Sequence, residues 1–260
     1  MNIHKSNTLL SSIALMAFLL SACSFSANEP TSAPSPTDSP APTATETLTP
    51  TSTPRPSPTP RPTKTPNLAA TERMDGFTAE AQSYFDKGYL TTADGTIKEH
   101  NDFKTEWAQL NWFRWWPLDQ KVGDFFISAH FKWSSALQNA DTSGCGFIFD
   151  LTEDTLYYAV FLDRSSVHFL TKTASGVRRL GKTRGTGTVK FDNPAEADFT
   201  VIAKGAYAYV LVDGELIGEY TLSQSKPLHG DLALTVLSGT NKDYGTRCEM
   251  TNIHVWTPNQ

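Results

Sequence analysis

The sequence predicts an all-β domain, an antiparallel β-sandwich, carried behind a leader and a long proline-rich segment. Three observations predict it. Of 16 prolines, 12 lie between Pro30 and Pro66, and no aromatic residue falls between Asn28 and Ala70, whereas all 6 Trp and all 8 Tyr come after Arg73. After Phe85, strand signals take over, with short β-branched and aromatic runs recurring at period two and almost no helical periodicity. Asp213-Gly214 sits between two such runs, as the pair of a two-residue hairpin turn whose central positions both need positive φ. Without the proline-rich part, roughly 190 residues remain, enough for one well-cored domain and not for two.

The elements follow in chain order. Residues 1–22 read as a lipoprotein signal peptide. Lys5 gives a small positive start, and the apolar run Leu9–Leu20 is broken only by Ser11 and Ser12. At about 12 residues that run is too short for a comfortable membrane span of about 20. It ends in Leu20-Ser21-Ala22-Cys23, which resembles the bacterial lipobox. That resemblance implies a lipid on Cys23, whose thiol forms the thioether, and a membrane anchor made by lipid alone. Residues 23–68, rich in Thr, Ser and Pro, read as a disordered linker: each proline removes a backbone donor, and the composition cannot bury a core. In polyproline II form such a linker is a semi-rigid spacer of about 3.1 Å per residue, and its Thr and Ser positions permit O-glycosylation.

The folded domain is expected over 69–260. Ala69, Ala70, Arg73, Phe77, Ala79, Ala81 and Tyr84 give fair helical spacing for a lead-in over 69–84. Then Phe125, Ile127, Ala129, Phe131 and Trp133 alternate with Phe126, Ser128, His130 and Lys132, a strand with one buried and one wetter face. Further strands are expected at 147–149, 157–162, 167–170, 199–203, 207–212, 216–220, 232–237 and 248–256. With Cys23 assigned to lipid, Cys145 and Cys248 form an even pair in an exported domain, and a disulfide is the first reading. Two buried thiols are the alternative. A metal site has no second Cys or His at ligand spacing.

Several of these segments resemble a known group of folds. Tyr209-Val210-Leu211-Val212-Asp213-Gly214-Glu215-Leu216, then Gly230-Asp231-Leu232-Ala233-Leu234, then Cys248–Trp256 are similar to the closing strands of concanavalin A-like and laminin G-like jelly rolls, including 3-keto-disaccharide hydrolase-like domains. Residues 103–149 are similar to a group of uncharacterised bacterial surface lipoproteins. The resemblance implies a jelly roll over about 103–256. It does not imply one activity, because such folds host lectins, hydrolases, lyases and adhesion modules alike.

No catalytic set is legible. Glu196-Ala197-Asp198 begins the E-x-D-x-x-E spacing of laminarinase-like glucanases, but Val201 stands where the third acid belongs. Glu153-Asp154 reads as a solvated turn. His130, His168, His229 and His254 are scattered singly and read as surface or satisfied structural histidines. The most suggestive segment is Asn111-Trp112-Phe113-Arg114-Trp115-Trp116, with Trp107 just upstream. Sugars stack their C–H faces on indole rings, and Asn or Arg flanks bond their hydroxyls, so Asn111, Trp112, Arg114, Trp115 and Trp116 are the candidate glycan-binding residues. Core or edge packing is the competing role for the same tryptophans. In a strand Trp115 and Trp116 must point to opposite faces.

Two loops complete the survey. Lys172, Arg178, Arg179, Lys182 and Arg184 make a basic stretch suited to solvent or to an anionic wall polymer. Asn241 and Asp243 offer oxygen ligands of the kind calcium takes, although a turn is the default there. Net charge is −5, with no basic field to suggest nucleic acid. The expectation is a lipid-anchored extracytoplasmic protein with a lectin-like sandwich, a non-catalytic carbohydrate-binding or adhesion module. The alternatives are a glycoside-acting hydrolase with an unrecognised carboxylate pair and a structural or protein-interaction module.

Overall fold

The computed structural model describes residues 68–259, apart from 138–141, 153–155, 164–165, 187–192 and 223–226. The leader, Cys23, the proline-rich segment and Glu153-Asp154 lie outside the described residues. One helix, α1 (Leu68–Asp86), opens the domain. The strands are β1 (Gly95–Glu99), β2 (Phe103–Trp107), β3 (Trp112–Lys121), β4 (Phe125–Ser135), β5 (Gly144–Leu151), β6 (Tyr157–Asp163) and β7 (Ser166–Thr173). They continue as β8 (Gly176–Arg179), β9 (Arg184–Gly185), β10 (Ala195–Lys204), β11 (Tyr207–Val212), β12 (Glu215–Thr221), β13 (Asp231–Ser238) and β14 (Thr246–Pro258).

These strands form two antiparallel sheets. Sheet A runs β1-β14-β4-β10-β11-β12, with β2 also on β14, and sheet B runs β3-β13-β5-β6-β7-β8, with β9 also on β7. Every strand expected from the sequence is present within β4–β7 and β10–β14. The strands not named from the sequence are the short β8 and β9 and also β1, β2 and β3, whose alternation is diluted by charged residues because β1 and β2 lie at one end of sheet A and β3 at an edge of sheet B.

The core lies between the sheets. Phe125, Ile127, Ala129, Phe131 and Trp133 of β4 all point into it and meet Phe147, Phe149, Val160, Phe169, Phe199 and Val201. The disulfide is present: Cys145 of β5 and Cys248 of β14, both fully buried, join sheet B to sheet A with Cα atoms 5.9 Å apart.

The other face of β4 is drier than its sequence suggests. Phe126 is fully buried and Ser128 nearly so, because α1 lies against this outer face of sheet A. Ala81 and Tyr84 of α1, one turn apart, pack with Leu90 on Phe126, Ile202, Leu211 and Trp256. The helix ends where Gly88 takes φ 78° and Tyr89 N–H donates to the Tyr84 carbonyl, a Schellman closure that returns Leu90 to the same apolar cluster.

β14 contains the feature that decides what its second half presents. Its register against β4 slips between Thr251 and His254, and Asn252 is left-handed at φ 54°. Cys248 and Met250 point into the core before this bulge, and Ile253 and Val255 after it. One extra residue therefore reverses the parity and sends His254 and Trp256 to the outer face.

The hairpin of β11 and β12 turns at Asp213 (φ 51°) and Gly214 (φ 77°), as its dipeptide requires. Asp213 Oδ1 also accepts from Asp198 N–H, and Asp213 N–H donates to the Asp198 carbonyl, fixing the turn against β10. Gly214→Val is expected to lower stability by about 1–2 kcal/mol, the cost of a β-branched residue in the left-handed region. Urea unfolding of the two proteins measures the difference, and equal midpoints would contradict this reading of the turn.

Candidate functional site

The tryptophan segment occupies β3, where alternation divides the candidate residues instead of gathering them. Phe113 and Trp115 point to the outer face of sheet B, with Phe161, Tyr157, Ile148, Ala159, Ala233 and Leu237. Trp116 points the other way and packs against the inter-sheet core, edge-on to Phe103. Arg114 follows Trp116: its guanidinium lies 5.4 Å from the ring centres of both Trp107 and Trp116. Arg114 and Trp116 thus lie on the face opposite Trp115, so the candidate residues do not gather on one face. The physical reason is the two-residue period of the strand, which places neighbouring side chains on opposite faces.

What remains is an aromatic ledge: Phe113 and Trp115 lie on the outer face of sheet B, and Trp112, the first residue of β3, has the parity of Arg114 but stacks its ring on Phe113. The Trp112 ring, 47% exposed, stacks on Phe113 with centroids 5.6 Å apart. The half-buried Trp115 ring lies 5.6 Å from Tyr157, and Phe113 lies 5.1 Å from Phe161. The floor under these rings is made of small residues. Gly146 faces Thr235 of β13 and Phe161 of β6, and a Cβ there would meet the Val160 carbonyl and come within 2.9 Å of the Phe161 ring. Ala159 and Ala233 continue the floor, so large rings close over small neighbours. Asn111, left-handed at φ 54°, accepts at Oδ1 from the Thr142 hydroxyl at the end of the ledge.

Polar groups border the same face. Asp163 and His168 form a nearly buried pair at 2.8 Å, with His168 directly across from Phe161. Lys172 is the cross-strand partner of Tyr157, and Arg179 of Leu170. Burial pushes the Tyr157 hydroxyl up from its ordinary range, so it stays protonated and able to donate. Elsewhere in the basic stretch, Arg184 lies over the Tyr220 ring at 5.5 Å.

A second constellation lies on sheet A, in a cleft of about 290 Å³ between α1 and the outer face. Glu80 and Tyr84 of α1 face Ser128 and His130 of β4, Asp198 and Thr200 of β10, and Asn252 and His254 of β14, with Gly214 at the rim. Cross-strand register brings them together: Ser128 pairs with Thr200 on one side and His254 on the other, and His130 pairs with Asp198.

The hydrogen bonds form two groups. Glu80 accepts from the Tyr84 hydroxyl at 2.7 Å through one oxygen and meets His254 Nε2 at 2.7 Å through the other. His254 Nδ1 donates to the Asn252 carbonyl at 2.9 Å, and its ring stacks on Phe77 with centroids 4.0 Å apart. The Ser128 and Thr200 hydroxyls bond each other at 2.9 Å. At the mouth, His130 Nδ1 meets Asp198 Oδ1 at 2.8 Å. Burial, then the charge of Glu80, drives the Tyr84 hydroxyl well above the usual phenol range, so it remains the donor of its bond to Glu80.

This cleft was not legible in the sequence. Its histidines read as isolated because their partners are far along the chain, 68 residues for His130 and 174 for His254. The Glu196-x-Asp198 spacing places both acids on the outer face of β10, where Glu196 pairs with Lys132 and Asp198 with His130. In the loop 238–246, Asp243 is left-handed at φ 45°, and the order comes from Ser238, Thr240 and Lys242 bonding one another. Among the described residues, no group of three or more His, Cys, Asp or Glu side chains is placed to hold a metal ion.

No family model and no curated protein matches the chain. Solved structures do. The carbohydrate-binding module CBM66 from Bacillus subtilis matches with 12% identity and a TM-score of 0.43, over 60% of this chain and 92% of that one. A β-glucanase of Bacillus licheniformis matches with 13% identity and a TM-score of 0.42, over 54% and 69%. A protein of unknown function with a galectin-like fold, also from Bacillus subtilis, matches with 10% identity and a TM-score of 0.44, over 64% and 89%.

Proposed function

We propose that this protein is a cell-surface glycan-binding module, held to the bacterial membrane by a lipid on Cys23 and displayed on its Thr/Pro-rich stalk. The observation that carries the proposal is the exposed Trp112 ring stacked on Phe113, continuous with Trp115 and Tyr157. A ledge of indole and phenol rings gives a sugar C–H faces to rest on. Asn111 and the Tyr157 hydroxyl supply polar ends near them, and the Asp163–His168 pair borders the far side. Lys172 and Arg179 beside the ledge favour a polymer with some negative charge.

Trp112→Ala and Trp115→Ala are expected to weaken binding to a bacterial cell-wall polysaccharide about tenfold or more, with the melting temperature nearly unchanged for Trp112→Ala. Trp116→Ala serves as the contrast, lowering stability through lost core contact while sparing affinity. Retention on immobilised polysaccharide and calorimetric titration read the effect. Absence of retention on cell-wall and plant polysaccharides alike would refute the proposal. Hydrolysis of one of these polymers, lost in Asp198→Asn, would move the protein among glycoside-acting enzymes instead. The anchor has its own test: labelled fatty acid enters the wild-type chain and is absent from Cys23→Ala.

A further inference from the structure

We propose that the cleft between α1 and sheet A is a second binding site, independent of the aromatic ledge, for a small neutral polyhydroxylated molecule about one sugar ring in size. Its volume, about 290 Å³, lies just under the usual span of small-molecule sites, about 300 to 1,000 Å³. Four elements build it, so its geometry exists only in the folded domain.

The distribution of used and unused hydrogen bonds points to the ligand. The inner groups are engaged: Glu80 with Tyr84 and His254, and Ser128 with Thr200. The mouth is not. His130 Nδ1 is committed to Asp198 Oδ1, which leaves Nε2 as the ring nitrogen without a partner; Asp198 keeps its Oδ2, and the Asn252 carboxamide has no partner among the described residues. A ring nitrogen, a carboxylate oxygen and an amide that both donates and accepts suit hydroxyl groups, which do both as well.

Charge narrows the class. Two carboxylates and no Lys or Arg line the cleft, so a phosphate, sulfate or uronate meets repulsion. A metal ion lacks its ligand set among the described residues. Each carboxylate also meets a histidine ring nitrogen, so neither is left as a bare anion facing the cleft.

Position gives the site a consequence. One wall is the helix that precedes the sandwich and the other is three central strands of sheet A. An occupant bonding both walls adds to the Glu80–His254 and Tyr84–Thr200 contacts that hold α1 down. Binding should therefore slow amide exchange in residues 80–86.

The test is titration of the purified full chain with methyl β-glucoside, glycerol and myo-inositol as neutral probes, and with glucuronate and inorganic phosphate as anions, followed by amide exchange and calorimetry. At least one neutral probe should bind saturably and protect the end of α1, and the anions should not. His130→Gln, and Asn252→Gly, which keeps the left-handed backbone, should each weaken that binding about tenfold. Trp112→Ala should leave it unchanged, which separates this site from the ledge. Lack of saturable binding by every neutral probe at millimolar concentration would overturn the proposal. So would affinity indifferent to both variants, or preference for either anion.

Discussion

Replacing Cys145 and Cys248 together by alanine lowers the stability of the domain by about 3–5 kcal/mol. The bond closes a loop of 103 residues, which contains all of sheet B except β3 and the strands β10–β12 of sheet A. Cross-linking removes loop-closure entropy from the unfolded chain, and that term approaches 5 kcal/mol for a loop of about 100 residues. Both cysteines sit on strands paired through their backbones, which alanine can keep, so the loss is expected to act mainly on the unfolded ensemble. Guanidinium unfolding with and without reductant is the measurement. The reduced wild type should fall to the level of the double variant, while the variant should not respond to reductant. A loss below about 1 kcal/mol would show that strain in the folded state cancels the entropic gain.

Trp256→Ala is the second large effect, at about 3–5 kcal/mol. This indole is 1% exposed, lies parallel to the Phe126 ring at 5.8 Å, and fits beneath Gly95, where any Cβ would collide with it. It belongs to the cluster that receives Ala81, Tyr84 and Leu90. Its removal therefore opens a cavity and also loosens α1. The expected result is a lower denaturation midpoint together with faster amide exchange in 77–86, while β5 and β6 keep their protection relative to the global stability. A fall in stability with α1 protection unchanged relative to the rest would separate the helix from this cluster.

How much of this was legible follows from how local each cause is. The Asp213-Gly214 turn was readable because its requirement for positive φ is met by two adjacent residue types. The core face of β4 was readable because five alternating apolar residues all go one way. The disulfide was readable from parity, since the reading of Cys23 as a lipid site leaves two cysteines. The division of the tryptophan segment followed from strand alternation, but its partners did not: Tyr157 and Phe161 reach Trp115 and Phe113 through two intervening strands.

The cleft was hidden for a different reason. Nothing around Thr251-Asn252 marks a bulge, and without it alternation from Cys248 and Met250 would send His254 into the core. Once the extra residue is inserted, His254 meets Glu80 of a helix 174 residues earlier. A pattern of period two records the average direction of a strand and misses one residue that reverses it.

On the proposed tether, the cross-link between β5 and β14 would also have a mechanical meaning. A pull entering at α1 reaches sheet A through the β1–β14 pairing, and Cys248 passes the load to sheet B through a covalent bond. The two sheets cannot be peeled apart in turn. Extension draws only on the residues before Cys145 and after Cys248, while the segment between them stays looped at any force that spares the disulfide.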